Sequence, residues 1–269
     1  MSKVILVTGG SSGIGEAIAR VLTQGRHVVY AGSRSAANGV THEAGFKQIT
    51  LDVTDELSIQ AAVDRIISEQ GRLDVLINNA GLGMAGPLEN TSDREARLIY
   101  NTNVFGVLNT CRIAAPHLRA TRGMIINITS IGGVFALPYR GIYCSSKFAV
   151  EGISEGLSLE LKPHGVRVVL LQPGDVKTNI NANRVNSAHV DREAYPHFSS
   201  VLDQIHREVN HALEPETIAI NVAKIIAKRN PKLRYRVATP TQKLSIALNA
   251  MLPGRWFEKL ISRHYGIRS

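Results

Sequence analysis

An α/β fold built on a doubly wound parallel sheet is what this 269-residue sequence predicts, and three observations predict it. Short runs rich in Val, Ile and Leu alternate with segments of helical periodicity, the runs are apolar almost continuously, and the first of them enters a glycine-rich turn that opens a helix. Continuous apolar strands are expected where helices cover both faces of a sheet. Repeated strand-helix-strand units in turn require parallel strands joined by right-handed crossovers.

Seven runs read as strands: "KVILVT" (3–8), "HVVYAG" (27–32), "KQITLDV" (47–53), "LDVLINN" (73–79), "GMIINIT" (123–129), "VRVVLLQP" (166–173) and "LRYRVAT" (233–239). The segments between them read as helices near 14–24, 55–70, 91–119, 142–164 and 215–229. With 44% hydrophobic and 20% charged residues and no linker or repeat, the chain is expected to form one large domain. A core domain over 1–240 is expected, with a cover near 186–212 and a helical extension over 241–269. The start, "MSKVILVTGG", has no secretion signal, and no stretch reaches the length of a membrane span, so a cytoplasmic protein is expected. Cys111 and Cys144 are too few for a disulfide framework and fit reduced thiols.

In such sheets ligands bind beyond the carboxyl ends of the strands, and the polar motifs fall there. "TGGSSGIG" (8–15) follows the first strand. Its glycines allow a tight turn and close approach to a pyrophosphate, and the next helix offers free N–H groups and a positive dipole end. The spacing of Gly9, Gly13 and Gly15 differs from G-x-G-x-x-G, so the run alone also suits an ordinary turn. After the second strand, "AGSR" puts Gly32 and Ser33 where an NAD-type fold carries an acid for the ribose 2′-hydroxyl, and Arg34 follows. A missing carboxylate and an adjacent guanidinium favour a 2′-phosphate, hence NADP(H). Asp52 and Val53 close the third strand, where a carboxylate can accept from an adenine amino group, and "NNAG" (78–81) closes the fourth.

Ser130 ends a strand, Tyr143 comes 13 positions later, and Lys147 follows four further on. Tyr143 and Lys147 share one helix face by that spacing. Free tyrosine titrates near ~10, and bringing it to neutrality needs roughly 4 kcal/mol. One ammonium about 4 Å away in an effective dielectric of about 20 supplies ~4 kcal/mol. Asn103, inside a long helical segment, marks a cap or a kink.

Taken together, "TGGSSGIG", Asp52, "NNAG", Asn103, Ser130 and "YCSSK", followed by "QPGDVKT", resemble the short-chain dehydrogenase/reductase family in order and spacing over roughly residues 3–240. "LQPGDVKTN" and the extension are more similar to its hydroxysteroid and retinol dehydrogenase-like branch. The resemblance implies a Rossmann-type fold and reversible hydride transfer between a nicotinamide cofactor, NADP(H) by the reading of "AGSR", and an apolar carbonyl or secondary alcohol: a ketone, steroid, retinoid or lipid-like molecule. It implies that Tyr143 is the general acid/base, Ser130 hydrogen-bonds the substrate oxygen, and Lys147 supports Tyr143 and the nicotinamide ribose. Asn103 would hold a water for proton supply. Gly9, Ser11, Ser12, Gly13, Ile14, Gly15, Ser33, Arg34, Asp52, Val53, Asn79, Ala80, Gly81, Pro173, Gly174, Val176 and Thr178 are the positions that the resemblance, with the reading of "AGSR", implies line the cofactor. A homodimer or homotetramer is expected. Two departures stand out: only 11 residues separate Arg34 from Phe46, which opens the adenine end, and Cys144 beside Tyr143 suggests sensitivity to thiol reagents.

Rival readings are a 3-oxoacyl thioester reductase and a non-catalytic NADP(H)-binding or membrane-associated protein; retention of a proton donor argues against the latter. The cover segment carries Tyr195, Phe198, Val201, Leu202 and Ile205 as one apolar face, and histidines 189, 197, 206 and 211 lack a metal-site pattern. The net charge of +9 is concentrated late: 11 Lys and Arg against 3 Glu from Leu213 onward. No nucleic-acid signature accompanies it. The stripes Leu244, Leu248, Met251, Leu252 and Trp256, Phe257, Leu260, Ile261 allow packing on the domain, a subunit interface or peripheral membrane contact through 241–269.

Overall fold

In the computed structural model, residues 2–178, 184–210 and 212–267 are described. In chain order they form β1 (Val4–Thr8), α1 (Gly13–Gln24), β2 (Val28–Ser33), β3 (Lys47–Thr50), α2 (Glu56–Gln70), β4 (Val75–Asn78), β5 (Met84–Ala85), α3 (Asp93–Tyr100), α4 (Gly106–Thr121) and β6 (Met124–Ile128). There follow α5 (Gly141–Leu161), β7 (Arg167–Pro173), β8 (Val185–Asn186), α6 (Phe198–Asn210), α7 (Pro215–Ile226), β9 (Arg234–Val237), α8 (Pro240–Met251) and α9 (Gly254–His264).

Seven strands pair in parallel in the order β3-β2-β1-β4-β6-β7-β9, the doubly wound arrangement. Alternate side chains of each strand feed opposite faces. Ile5, Val7, Ile77, Ile126 and Val169 pack against Ile18 and Leu22 of α1 and Ile218 and Val222 of α7. Val4, Leu6, Leu76, Ile125 and Val168 pack against Ile66 of α2, Leu118 of α4 and Val150 of α5. Both faces are therefore dry, which is why the strands carry no polar alternation.

Local signals set the helix ends. Asp55 accepts from the Leu57 N–H at 3.0 Å to open α2, and Gly71, with φ 69°, closes it in the left-handed region. Ser92 and Glu95 form a capping box at the start of α3. The segment read as one helix over 91–119 is interrupted: Asn101–Phe105 form a π turn between α3 and α4. Asn103 thus marks a bulge in a continuing helix rather than a cap. β5 and β8 form a separate two-residue parallel pair, with Met84 opposite Val185, too short to leave a sequence pattern.

The extension packs on its own domain. Phe257 of α9 meets Phe135 edge-on, ring centroids 5.1 Å apart, and Ile246 of α8 joins the same cluster with Ile131 and Ala238. Of the apolar face expected near 186–212, Val201 and Ile205 lie on α6 buried against Tyr265, Leu202 is partly buried, and Tyr195 precedes the helix. His211 lies outside the described residues. The two apolar stripes of the extension divide: Phe257 is buried and Leu248, Leu252 and Ile261 are partly so, whereas Leu244, Met251, Trp256 and Leu260 are exposed. Among the described residues no helix is long and apolar enough to cross a membrane.

Candidate active site

A cleft of about 1180 Å³ runs across the carboxyl ends of the strands. At one end the β1–α1 turn is shaped by Gly9 and Gly13, with φ 66° and 57°, which side chains rarely adopt. Ser12 leaves the first N–H groups of α1 without a side-chain cap, so they are open to an anion. Gly15 does not line the cleft; a Cβ there would overlap the Gly9 carbonyl, so this glycine serves the folding of the turn itself. Asn79 fixes the turn from β4, its side-chain amide donating to the carbonyls of Thr8 and Gly9 at 3.0 Å each. A dinucleotide fits this cradle by the open N–H groups and by the backbone approach that the glycines permit.

Ser11, Ser12, Ile14, Ser33, Arg34, Asp52, Val53, Asn79, Ala80 and Gly81 line the same end. Arg34 is exposed, whereas Ser33 is buried. Asp52 Oδ1 accepts from the Thr54 N–H at 2.9 Å and its hydroxyl at 2.7 Å, which fixes the carboxylate at the rim. Pro173, Gly174, Val176 and Thr178 close the opposite wall.

Ser130, Tyr143 and Lys147 meet in the middle of the cleft. The loop from β6 folds back so that Ser130 begins a 3-10 turn, its Oγ accepting from the Gly132 N–H at 3.0 Å. Its hydroxyl also interacts with the Tyr143 phenol and lowers its pKa. Lys147, buried, donates to the Ile128 carbonyl at 3.1 Å and stands 5.9 Å from the Tyr143 ring centroid.

Burial pushes the Tyr143 phenol up from its ordinary value; Ser130 and the Arg140 guanidinium act against this. The expectation that Lys147 acidifies Tyr143 by itself is therefore corrected for the free protein: desolvation favours the neutral forms of both groups. Burial lowers Lys147 to about 8, opposed by the charge of Glu151.

Asn103 does not reach the cleft lining. Its side chain accepts from the Leu82 N–H at 2.8 Å and donates to the Leu82 carbonyl at 2.9 Å and to Ser146 Oγ at 3.0 Å. The π turn aims the amide at these groups, so it ties the β4 loop to α5. Cys144 is 1% exposed and its thiol is raised by burial, which corrects the expected reactivity toward thiol reagents.

Beyond Tyr143 the cleft continues into a pocket whose apolar walls include Leu82, Met84, Phe135, Leu137 and Ile261. Sequence reasoning missed its polar members, Arg140, Asp175, Gln242 and Tyr265. Among the described residues, no three of His, Cys, Asp or Glu are grouped to hold a metal.

The short chain dehydrogenase family model matches residues 3–188. The chain is 41% identical over 269 residues to the 3-ketodihydrosphingosine reductase of Bacteroides thetaiotaomicron, covering 99% of each chain. It is 31% identical over 271 residues to retinol dehydrogenase 8 of Bos taurus, covering 93% of this chain and 86% of that one. A short chain dehydrogenase/reductase of Burkholderia phymatum, solved in complex with NAD, superposes with a TM-score of 0.80 at 25% identity, covering 93% of each chain. A parallel sheet of this order, a glycine turn at its carboxyl edge and a family match over most of the chain agree: the chain belongs to the short-chain dehydrogenase family of oxidoreductases.

Proposed function

We propose that this protein is an NADPH-dependent ketone reductase acting on a long-chain, lipid-like 3-ketone of the 3-ketodihydrosphingosine type, with Tyr143 as the proton donor. The observation that carries the reading is the meeting of Ser130, Tyr143 and Lys147 between a dinucleotide cradle and an apolar-walled pocket. Similarity over the full length to a 3-ketodihydrosphingosine reductase supports the substrate class.

A nicotinamide dinucleotide supplies the hydride when bound. Tyr143 gives its phenolic proton to the ketone oxygen as that oxygen gains charge. Ser130 Oγ, already accepting from Gly132, keeps its own proton to donate to the same oxygen. Lys147 spends one N–H on Ile128 and has two left for the ribose and for restoring the phenol. Asn103 is a positioning residue that locks Leu82 and Ser146 behind the site. At the adenine end the Gly32-Ser33-Arg34 turn presents a guanidinium and no carboxylate to a 2′-phosphate, which supports NADP(H) over NAD(H).

Exposed Leu98, Phe105, Leu108 and Phe148, on α3, the π turn, α4 and α5, support a homodimer or homotetramer. Exposed Met251 and Trp256 beside Arg255 and Lys259 support peripheral contact with a membrane that carries such a substrate. The test is NADPH oxidation with 3-ketodihydrosphingosine, a 3-oxoacyl thioester, a steroid ketone and retinal offered in parallel. The long-chain ketone should be turned over with the highest kcat/KM; preference for any other member would reject the substrate class.

A further inference from the structure

Four side chains from four separate segments form a polar group beside Tyr143 that the proton transfer does not use. Arg140 precedes α5 by one residue and is 9% exposed. Its Nη2 donates to the Tyr265 hydroxyl at 2.9 Å, and its Nη1 lies 3.8 Å from Asp175 Oδ1, too far for a hydrogen bond. Its Nε is buried with no hydrogen-bond partner among the described residues. Asp175 follows the Pro173-Gly174 turn, and its Oδ2 accepts from Gln242 Nε2 at 2.7 Å. Gln242 is able to enter because residue 174 is glycine; a Cβ there would occupy the place of its side-chain oxygen.

As a stabilising device this arrangement is poor. Burying a guanidinium and a carboxylate is costly unless good geometry satisfies both, and here the pair stands apart with one donor left over. Such a partly satisfied network on a cleft wall suits a ligand that completes it. The position is also specific: the charges of Arg140 and Asp175 both reach the Tyr143 phenol, the former lowering and the latter raising its pKa. Arg140 and Asp175 line the same cleft as Tyr143, so a group they bind shares the chamber with the carbonyl that the phenol would face.

We infer that Asp175 and Arg140 form a head-group subsite for an amino alcohol adjacent to the reacting ketone, Asp175 receiving an ammonium on the neighbouring carbon and Arg140 donating to a hydroxyl beyond it. The inference rests on the long-chain ketone reading and deepens it. An ammonium brings hydrogen-bond donors to a carboxylate whose Oδ1 stands 3.8 Å from the Arg140 guanidinium and which also feels the charge of Arg184 in the same cleft wall. A hydroxyl brings the acceptor that the guanidinium lacks. The apolar tail would then leave along Phe135, Leu137 and Ile261. A steroid or retinoid offers no cation to Asp175.

The experiment compares kcat/KM for 3-ketodihydrosphingosine, its N-acetyl derivative and the matching long-chain hydroxyketone without nitrogen, using the full chain and NADPH. Wild-type enzyme should prefer the free amine by about tenfold or more, the scale of one desolvated charged hydrogen bond. Asp175→Asn should bring that ratio near one, Asp175→Glu should restore part of it, and NADPH titration should report whether each variant is folded. Equal use of amine and nitrogen-free ketone by the wild-type enzyme would overturn the subsite and leave the ketone reductase reading intact. An unchanged ratio in a folded Asp175→Asn variant would overturn it as well. Failure to turn over any long-chain ketone, with activity on another carbonyl class, would overturn both.

Discussion

Lys147 Nζ lies 5.9 Å from the centroid of the Tyr143 ring, one turn further along the same helix. The amine is held there by the end of β6 through the Ile128 carbonyl, so the geometry is set before any ligand arrives. Tyr143→Phe removes the transferable proton and keeps the ring. The expected loss in kcat is about 10²- to 10⁴-fold, with NADPH binding by fluorescence titration retained. A loss smaller than about tenfold would remove Tyr143 from the proton-donor role.

The same amine makes stability depend on pH. Lys147 is lowered from an ordinary 10.5 to about 8, chiefly by desolvation. Below about 8 the folded protein carries a buried cation that the unfolded chain keeps in water, and the penalty is complete. Between about 8 and 10.5 only the unfolded chain still holds the proton, so stability rises with pH across that window and levels off above it. Lys147→Met should therefore melt higher than wild type at neutral pH, on a scale of about 2–4 °C per kcal/mol. The advantage should shrink as the pH approaches 10.5. A difference in Tm that ignores pH would refute the assignment of the burden to this group.

Arg34 is exposed just after β2, next to the buried Ser33, where the adenine end of the proposed cofactor would lie. Arg34→Ala should raise the Kd for NADPH about tenfold, as loss of one charge-assisted contact, and leave NADH nearly unmoved. Equal Kd changes for the two cofactors would remove Arg34 from discrimination.

Phe257 and Phe135 meet edge-on beneath the extension, and Phe135 also lines the cleft. Phe257→Ala should cost about 3 kcal/mol in urea unfolding. It should also raise KM for an apolar ketone more than for NADPH. Equal effects on the two would mean that α9 serves general stability alone.

Trp256 is the one tryptophan of the sequence and is exposed beside Arg255 and Lys259. Vesicles containing phosphatidylserine should shift its emission to the blue, while vesicles of phosphatidylcholine alone should do so less. No shift with either would take the extension out of membrane contact.

Much of this molecule was legible because strong local patterns coincide with its long-range order. The seven apolar runs became the seven strands of the sheet, since burial on both faces leaves a continuous signature. The glycine turn, Ser130, Tyr143 and Lys147 were legible because their spacing is local or bridged by one loop. The π turn at Asn101–Phe105 was hidden, because one extra residue in a helical turn hardly alters apolar periodicity. Arg140 and Tyr265 are 125 positions apart, and Asp175 and Gln242 are 67 apart; nothing in either segment announces its partner. Cys144 shows the reverse error, a thiol that burial makes inert.

Because Gln242 and Tyr265 stand in the wall of the cleft, the final helices finish a compartment whose other half is encoded much earlier. A nascent chain can form the glycine turn between β1 and α1 while the cleft still lacks one side. Proteolytic trimming near residue 240 would return the protein to that unfinished form, the β1–α1 turn in place and the cleft open along one side.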